Sequence, residues 1–273
     1  MRLINRRPDR TSWMLLAALP FLVVLIAYAL GSAVRLAENP ADKLLPGLAS
    51  FADAIDRMAF TADKRTGDIL LWLDTGTSLM RLAAGIAIAA AGGLLVGLAA
   101  GLLPYVRATL APFVTVVSMV PPLAVLPILF IMVGLGEASK ITLIVVGVLP
   151  CLIRDLMLKI DDLPRQQLIK AQTLGANSWT IAIRVVLPQI LPRLIDSIRL
   201  NLGPAWLFLI SAEAIASESG LGYRIFLVRR YLAMDVILPY VAWITLLCFL
   251  MDLGLRVLQR RAFPWFEDAR AGA

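Results

Sequence analysis

The residues able to do chemistry are few in this chain. Its 273 residues include no histidine, so the commonest general base and the commonest metal ligand are both missing. Cys151 and Cys248 lie far apart in apolar runs and read as buried small hydrophobes, neither a disulfide nor a metal site. No G-x-x-x-x-G-K-[S/T] segment occurs, so the chain does not itself harvest ATP by that route. With no nucleophile–base set, an enzyme is the least expected class, and no cofactor or metal is expected. The chemistry worth weighing is acid set in oil. Glu213 and Glu218, in SAEAIASESGLGYR, are the carboxylates nearest the apolar interior. Ionisable groups at membrane depth face the bundle interior, where they line a pathway or pair with a base. Two roles are open for Glu213: an ion pair with Arg224 or Arg229, or a place on a solute path. On such a path the carboxylate favours a cationic or neutral solute.

Such a carboxylate needs elements that hold it, and composition says what they are. Hydrophobic residues make up 60% of the chain and charged ones 16%, against about 45–50% apolar for a soluble domain. The apolar residues are bunched, so the chain is expected to be an all-α, polytopic membrane helix bundle. Its 26 basic against 19 acidic residues fit cytoplasmic loops and membrane ends. A nucleic-acid partner is not expected, because no compact basic patch with interleaved aromatics occurs.

A span needs about 20 residues. Residues 13–34, 78–103 and 109–134 are clear candidates, and 140–154, 199–213 and 235–252 are shorter ones that must run past their flanking charges. Lys140, Arg154, Arg199 and Arg256 can do so by snorkelling. The 24 uncharged positions at 11–34 exceed a signal-peptide core, so this segment is expected to be a retained anchor despite the GSA at 31–33. Arg2, Arg6, Arg7 and Arg10 place the N-terminus inside. Six spans then keep the basic 154–199 segment and the C-terminal RVLQRR inside. Arg224, Arg229 and Arg230 fall in an outer loop, 217–235, against the rule. The expected organisation is a tail, anchor and external amphipathic segment (1–77), a transmembrane core (78–262) and a C-terminal tail (263–273).

Two spans carry marked patterns. Gly85, Ala89, Gly93, Gly97 and Gly101 recur every fourth residue, which puts them on one helix face and lets another helix approach closely. SMVPPLAVLP places Pro121, Pro122 and Pro127 where they break the hydrogen-bond ladder, as a kink or as a pathway lining. Measured along a helix from Arg199, Glu213 lies about 21 Å on, in the outer half of its span.

The polar interruption KAQTLGANSWTIAIRVVLPQILPRL is the least expected feature of so oily a chain. DLPRQQLIKAQTLGA reads as a helix that begins after Pro164 and ends near Gly175. NSWTIAIRVVLP reads as a second helix, capped by Asn177 or Ser178. The segment is too polar to span, yet Leu168, Leu174, Trp179, Ile181, Ile183 and Val186 give it a surplus apolar face. Such a face asks for a partner protein.

This stretch resembles the coupling segment of ABC importer permeases, with its pattern E-A-A, three residues, G, nine residues, I-x-L-P. Ala171, Gly175 and Ala176 fit the first part, and Val185, Leu187 and Pro188 fit the second with Val for Ile. The family's Glu falls on Ile169 and its first Ala on Lys170, and a further acidic position upstream falls on Gln166. GEASK (136–140), SAEAIASESGLGY (211–223) and RRAFPW are similar to the nitrate/sulfonate/taurine branch. The likeness covers roughly residues 75–265. It implies a permease subunit in the inner membrane with both termini cytoplasmic, and two copies forming the pore. ABC ATPase subunits would receive Ala171, Leu174, Gly175, Ala176, Trp179, Leu187 and Pro188, and an external binding protein would deliver solute. The implied solute is a small nitrogen or sulfur compound, and a urea- or guanidine-like molecule is the alternative that Glu213 suggests. Pathway candidates are Glu213, Glu218, Pro121 and Pro122, and helix-packing candidates are Gly85, Gly93, Gly97 and Gly101. A stand-alone secondary transporter or channel is the competing class, but the inverted repeats expected of one are not seen.

Overall fold

A computed structural model describes residues 9–39, 42–64 and 67–266. Arg2, Arg6, Arg7 and Arg65, and positions 267–273 of the expected C-terminal tail, lie outside the described residues. All regular structure among the described residues is helical. The described residues form two compact units, one within residues 1–69 together with 228–240 and one of 70–227 together with those from 241 on. The expected boundary at 77/78 therefore falls inside a helix.

In the first unit, α1 (Arg10–Glu38) contains the expected anchor, and its apolar side chains are exposed along its length, as a lipid-facing helix requires. The chain after α1 is pinned back on it. Tyr28 Oη donates to Pro46 O at 2.8 Å, Ser32 Oγ to Leu45 O at 3.0 Å, and Arg35 pairs with Asp42. One amphipathic helix, α2 (Leu48–Ala59), then occupies the segment expected to hold one or two.

The second unit is organised on a helix pair. α3 runs Leu70–Leu102, eight residues earlier than the sequence suggested, and α6 runs Glu137–Asp161. The glycine ladder lies on their seam. A Cβ at Gly85 would stand 2.8 Å from Ile144 Cβ, at Gly93 2.9 Å from Leu152 Cβ, and at Gly97 and Gly101 3.0 Å from Leu156 Cβ and Ile160 Cβ. Every one of these pairs is offset by the same 59 residues, so two parallel helices mesh tooth for tooth over about 24 Å.

The third expected span is not one helix. α4 (Pro104–Val117) and α5 (Pro122–Val133) meet at a 97° bend. Pro121 caps α5 and Pro122 opens it, positions where a missing N–H costs nothing, and the chain cannot run straight through them.

α6 and α11 (Met234–Ala262) extend well past the short spans expected from charge spacing. Ion pairs hold three of the four basic residues expected to snorkel, Arg256 among them at 3.1 Å from Asp252. Lys140 is buried and pairs with Glu137 at 2.8 Å, and Arg199 pairs with Asp252 at 2.7 Å. α9 (Leu187–Ile215) is long enough to span, but Arg193, Asp196 and Arg199 sit inside it. Among the described residues four helices are long and apolar enough to cross, or five spans if the bent pair counts as one. α7 (Arg165–Thr173), the single turn α8 (Ser178–Thr180) and α10 (Leu221–Arg229) complete the fold.

Candidate functional site

Two polar regions interrupt the apolar bundle. The first is the segment between α6 and α9. Pro164 starts α7, and the helix ends in a motif set by Gly175, whose φ is +81°. Gly175 N donates to Gln172 O at 2.9 Å, and Ala176 N reaches back to Ala171 O at 3.0 Å. This pair of bonds is the glycine-terminated helix stop, which needs the left-handed conformation at Gly175. Asn177 then caps the next helix, its Oδ1 accepting from Thr180 N at 2.8 Å. Residues 181–186 follow as a π-helical stretch, with Leu187 N donating to Ala182 O. Pro188 lacks an N–H and would crowd the carbonyl four residues back, and a wider turn relieves this.

Packing sorts the expected coupling residues into two groups. Leu156, Ile160 and Leu163 at the end of α6 form one buried cluster with Ile181, Val186, Ile190 and Leu194, and Ala171 and Ala176 pack against it. On the other side Leu174 is 80% exposed, Trp179 74% and Ile169 57%. Leu187 is half-buried and Pro188 exposed, at the junction of the π stretch with α9. The segment is thus rigidly seated by one face and offers the other.

The second polar region surrounds Glu213, which is fully buried. Its carboxylate accepts from Ser78 Oγ at 2.8 and 3.0 Å, from Arg81 Nη1 at 2.7 Å and from Gly222 N at 2.9 Å. Arg81 also binds both oxygens of Glu137, at 2.5 and 2.6 Å, and donates to Ser219 O at 2.8 Å. Asp74 accepts from Gly220 N at 2.9 Å and from Arg224 Nε at 2.8 Å, and Leu221 N donates to Ser78 Oγ at 2.9 Å. Four successive residues, Ser219 to Gly222, therefore each have a backbone group held by a side chain of α3 or α9. The turn needs its glycines. Gly220 has φ +125°, and a Cβ there would stand 2.5 Å from the Glu213 carboxyl carbon. The carboxylates of Asp74, Glu137 and Glu213 balance the charges of Arg81, Lys140 and Arg224.

Glu213 is accordingly ion-paired, but to Arg81, with Arg224 taken by Asp74. The other pathway candidates do not join it: Glu218 and Pro121 are exposed, and Pro122 sits half-buried at the α4–α5 bend. Asp74, Ser78 and Arg81 were missed from sequence although a signal existed. Their spacing of four and three places them on one face of α3, and Arg81 is a charge inside an expected span. Among the described residues no group of three or more His, Cys, Asp or Glu is placed to hold a metal.

This fold and this segment define an importer permease. Residues 93–264 match the family described as binding-protein-dependent transport system inner membrane component, and the chain belongs to that family. It is a permease subunit of an ABC importer, and membership implies an ATPase partner and a substrate-binding protein. Among its relatives is the taurine transport system permease protein TauC of Escherichia coli K12, 38% identical over 203 residues, or 74% of each chain. Another is the putative aliphatic sulfonates transport permease protein SsuC of the same organism, 32% identical over 54% of this chain and 56% of that one. The fold is shared with the inward-facing MetNI methionine ABC transporter at a TM-score of 0.59 and 21% identity, covering 70% of this chain and 96% of that one.

Proposed function

We propose that the chain carries small sulfonates of the taurine type, as one of two identical pore-forming copies set in membrane lipid with both termini cytoplasmic. The observation that carries the cargo reading is the 38% identity to the taurine permease across 74% of both proteins. The argument for a cationic or neutral solute, and with it a urea- or guanidine-like one, rested on an uncompensated Glu213. That support is gone, because Arg81 neutralises the group. Leu174, Gly175 and Trp179 dock in the ATPase, with Ala171, Ala176, Leu187 and Pro188 fixing their posture. Ile169 stands where the family has Glu, so this docking leans on apolar contact instead of charge.

The test is uptake. A host unable to import sulfonates, supplied with this chain and its cognate ATPase and binding protein, should accumulate labelled taurine only when ATP is available. An assembled complex that takes up no sulfonate sinks the cargo reading. Topology is read separately, with single cysteines at Gln172 or Asn177 in a chain lacking Cys151 and Cys248. They should react with an impermeant thiol reagent only after the membrane is opened.

A further inference from the structure

Where α6 ends and α9 begins, a cavity of about 480 Å³ opens beside the coupling segment. That volume is in the range of small-molecule sites. Four charged side chains line it, and they are not equivalent. Asp155 accepts the Ser197 hydroxyl, and Asp196 pairs with Arg199 at 3.2 Å. Lys159 and Arg193 make no ion pair among the described residues. Arg199 offsets Asp196, and Asp155 keeps its charge while accepting a neutral hydroxyl, so among the described residues Lys159 and Arg193 leave the cavity with an excess of one positive charge. Trp265 forms an apolar wall, steadied edge-to-face by Phe263 and Phe266 at centroid distances of 6.3 and 6.0 Å.

We propose that this cavity binds a small tetrahedral oxyanion head group, a sulfonate, sulfate or phosphate ester. Arg193 supplies a planar fork of donors and Lys159 a point charge, the pair of donors suited to oxygens spread over a tetrahedron. The indole of Trp265 covers whatever short apolar stem the head group carries. The site lies at the coupling end of the bundle. Gln189, which lines it, donates to Gln167 of α7 at 3.1 Å and to Val185 O of the π stretch at 2.7 Å. An occupant thus bridges α6 and α9 next to the segment that meets the ATPase. Nothing in this requires that the transported solute be a sulfonate.

The head group could be that of a free solute or of an anionic lipid, and one experiment separates them. The permease–ATPase complex, without binding protein, is placed in nanodiscs of phosphatidylcholine and titrated with labelled sulfate and ethanesulfonate. Saturable binding is expected, weakened at least tenfold in K159Q/R193Q and retained in the charge-preserving K159R/R193K. Choline, a cation of similar size, should not bind. In discs containing phosphatidylglycerol, loss of ethanesulfonate binding together with lipid retention that depends on Lys159 and Arg193 assigns the site to the lipid. Undiminished binding assigns it to the free anion. Both variants are checked for assembly with the ATPase by size exclusion. No saturable binding and no charge-dependent lipid retention overturns the site, as does equal binding by K159Q/R193Q. The uptake assay described above does not report on this cavity, so the two readings fail separately.

Discussion

The loop clasped around Glu213 and the segment around Gly175 are both polar turns in an apolar chain, and they are built oppositely. In the clasp each carboxylate meets a base and the turn's backbone is bonded by side chains up to 146 residues away. In the coupling segment the backbone bonds of the Gly175 turn are local, reaching back five residues, one side-chain bond from Gln189 to Gln167 spans it, and large apolar side chains stand exposed. A region that satisfies all its own groups has nothing left to offer. One that satisfies its backbone but exposes Leu174 and Trp179 is shaped for something else. The contrast sets Glu213, held by Ser78, Arg81 and Gly222, against Leu174 and Trp179, which no described part of the chain covers.

The sharpest way to break that contrast is Arg81→Met. It strands the fully buried Glu213 carboxylate and leaves Glu137 with Lys140 alone, and should cost about 3–5 kcal/mol. The unfolding temperature of the purified complex reads this, and Glu213→Gln added to the same chain should restore part of it. A wild-type melting temperature for Arg81→Met would show that the clasp bears no load. Gly220→Ala comes next, at about 1–3 kcal/mol, because both the backbone angle and the Glu213 carboxyl resist a Cβ. Transport and stability should fall together there. At Gly175 they should part. Nothing lies within 4 Å of a Cβ at that position, so Gly175→Val meets only backbone strain, about 1–2 kcal/mol. The complex should still insert and hydrolyse ATP while uptake is lost, and normal uptake would remove the coupling assignment. Trp179→Ala should be the quietest for stability, within about 0.5 kcal/mol, since the side chain is mostly exposed. Its effect belongs in ATPase association, weakened about tenfold, or 1.4 kcal/mol, in a pull-down titration. A destabilised chain with unchanged association would reverse the contrast.

The sequence was most legible where the causes are local. Pro164, Gly175 and Asn177 bound α7 and its turn by their own backbone preferences, so the helix ends fall within a residue or two of expectation. The four-residue glycine stride foretold a close seam, although only the structure names α6 as the partner. Legibility failed where the partner is distant in the chain. Glu213 was matched with Arg224 and Arg229 because they are near in sequence, while its true partner lies 132 residues back, in a helix whose start was placed eight residues too late. The late start hid Asp74, and the general run of apolar residues hid Arg81. The 109–134 run was read as one span because hydropathy carries no direction, and the two adjacent prolines turn the chain by 97° within it. The basic residues in the outer loop looked like exceptions to the charge bias. Arg224 at least is bound to Asp74, so its charge is not displayed.

The seam between α3 and α6 has a mechanical consequence. Four glycines set against four bulky side chains at a constant offset allow axial slip only in strides of about 6 Å, one four-residue tooth at a time. The two helices are therefore a strut that does not shear under small loads. One end carries the hydrophobic seat of α7, through Leu156 and Ile160, and beyond the other stand Ser78, Arg81 and Glu137. A load applied at the seat would pass along the rod to its far end, since the meshed teeth resist slip between the two helices. The Ser219–Gly222 turn is tied to that end by its backbone and would move with it.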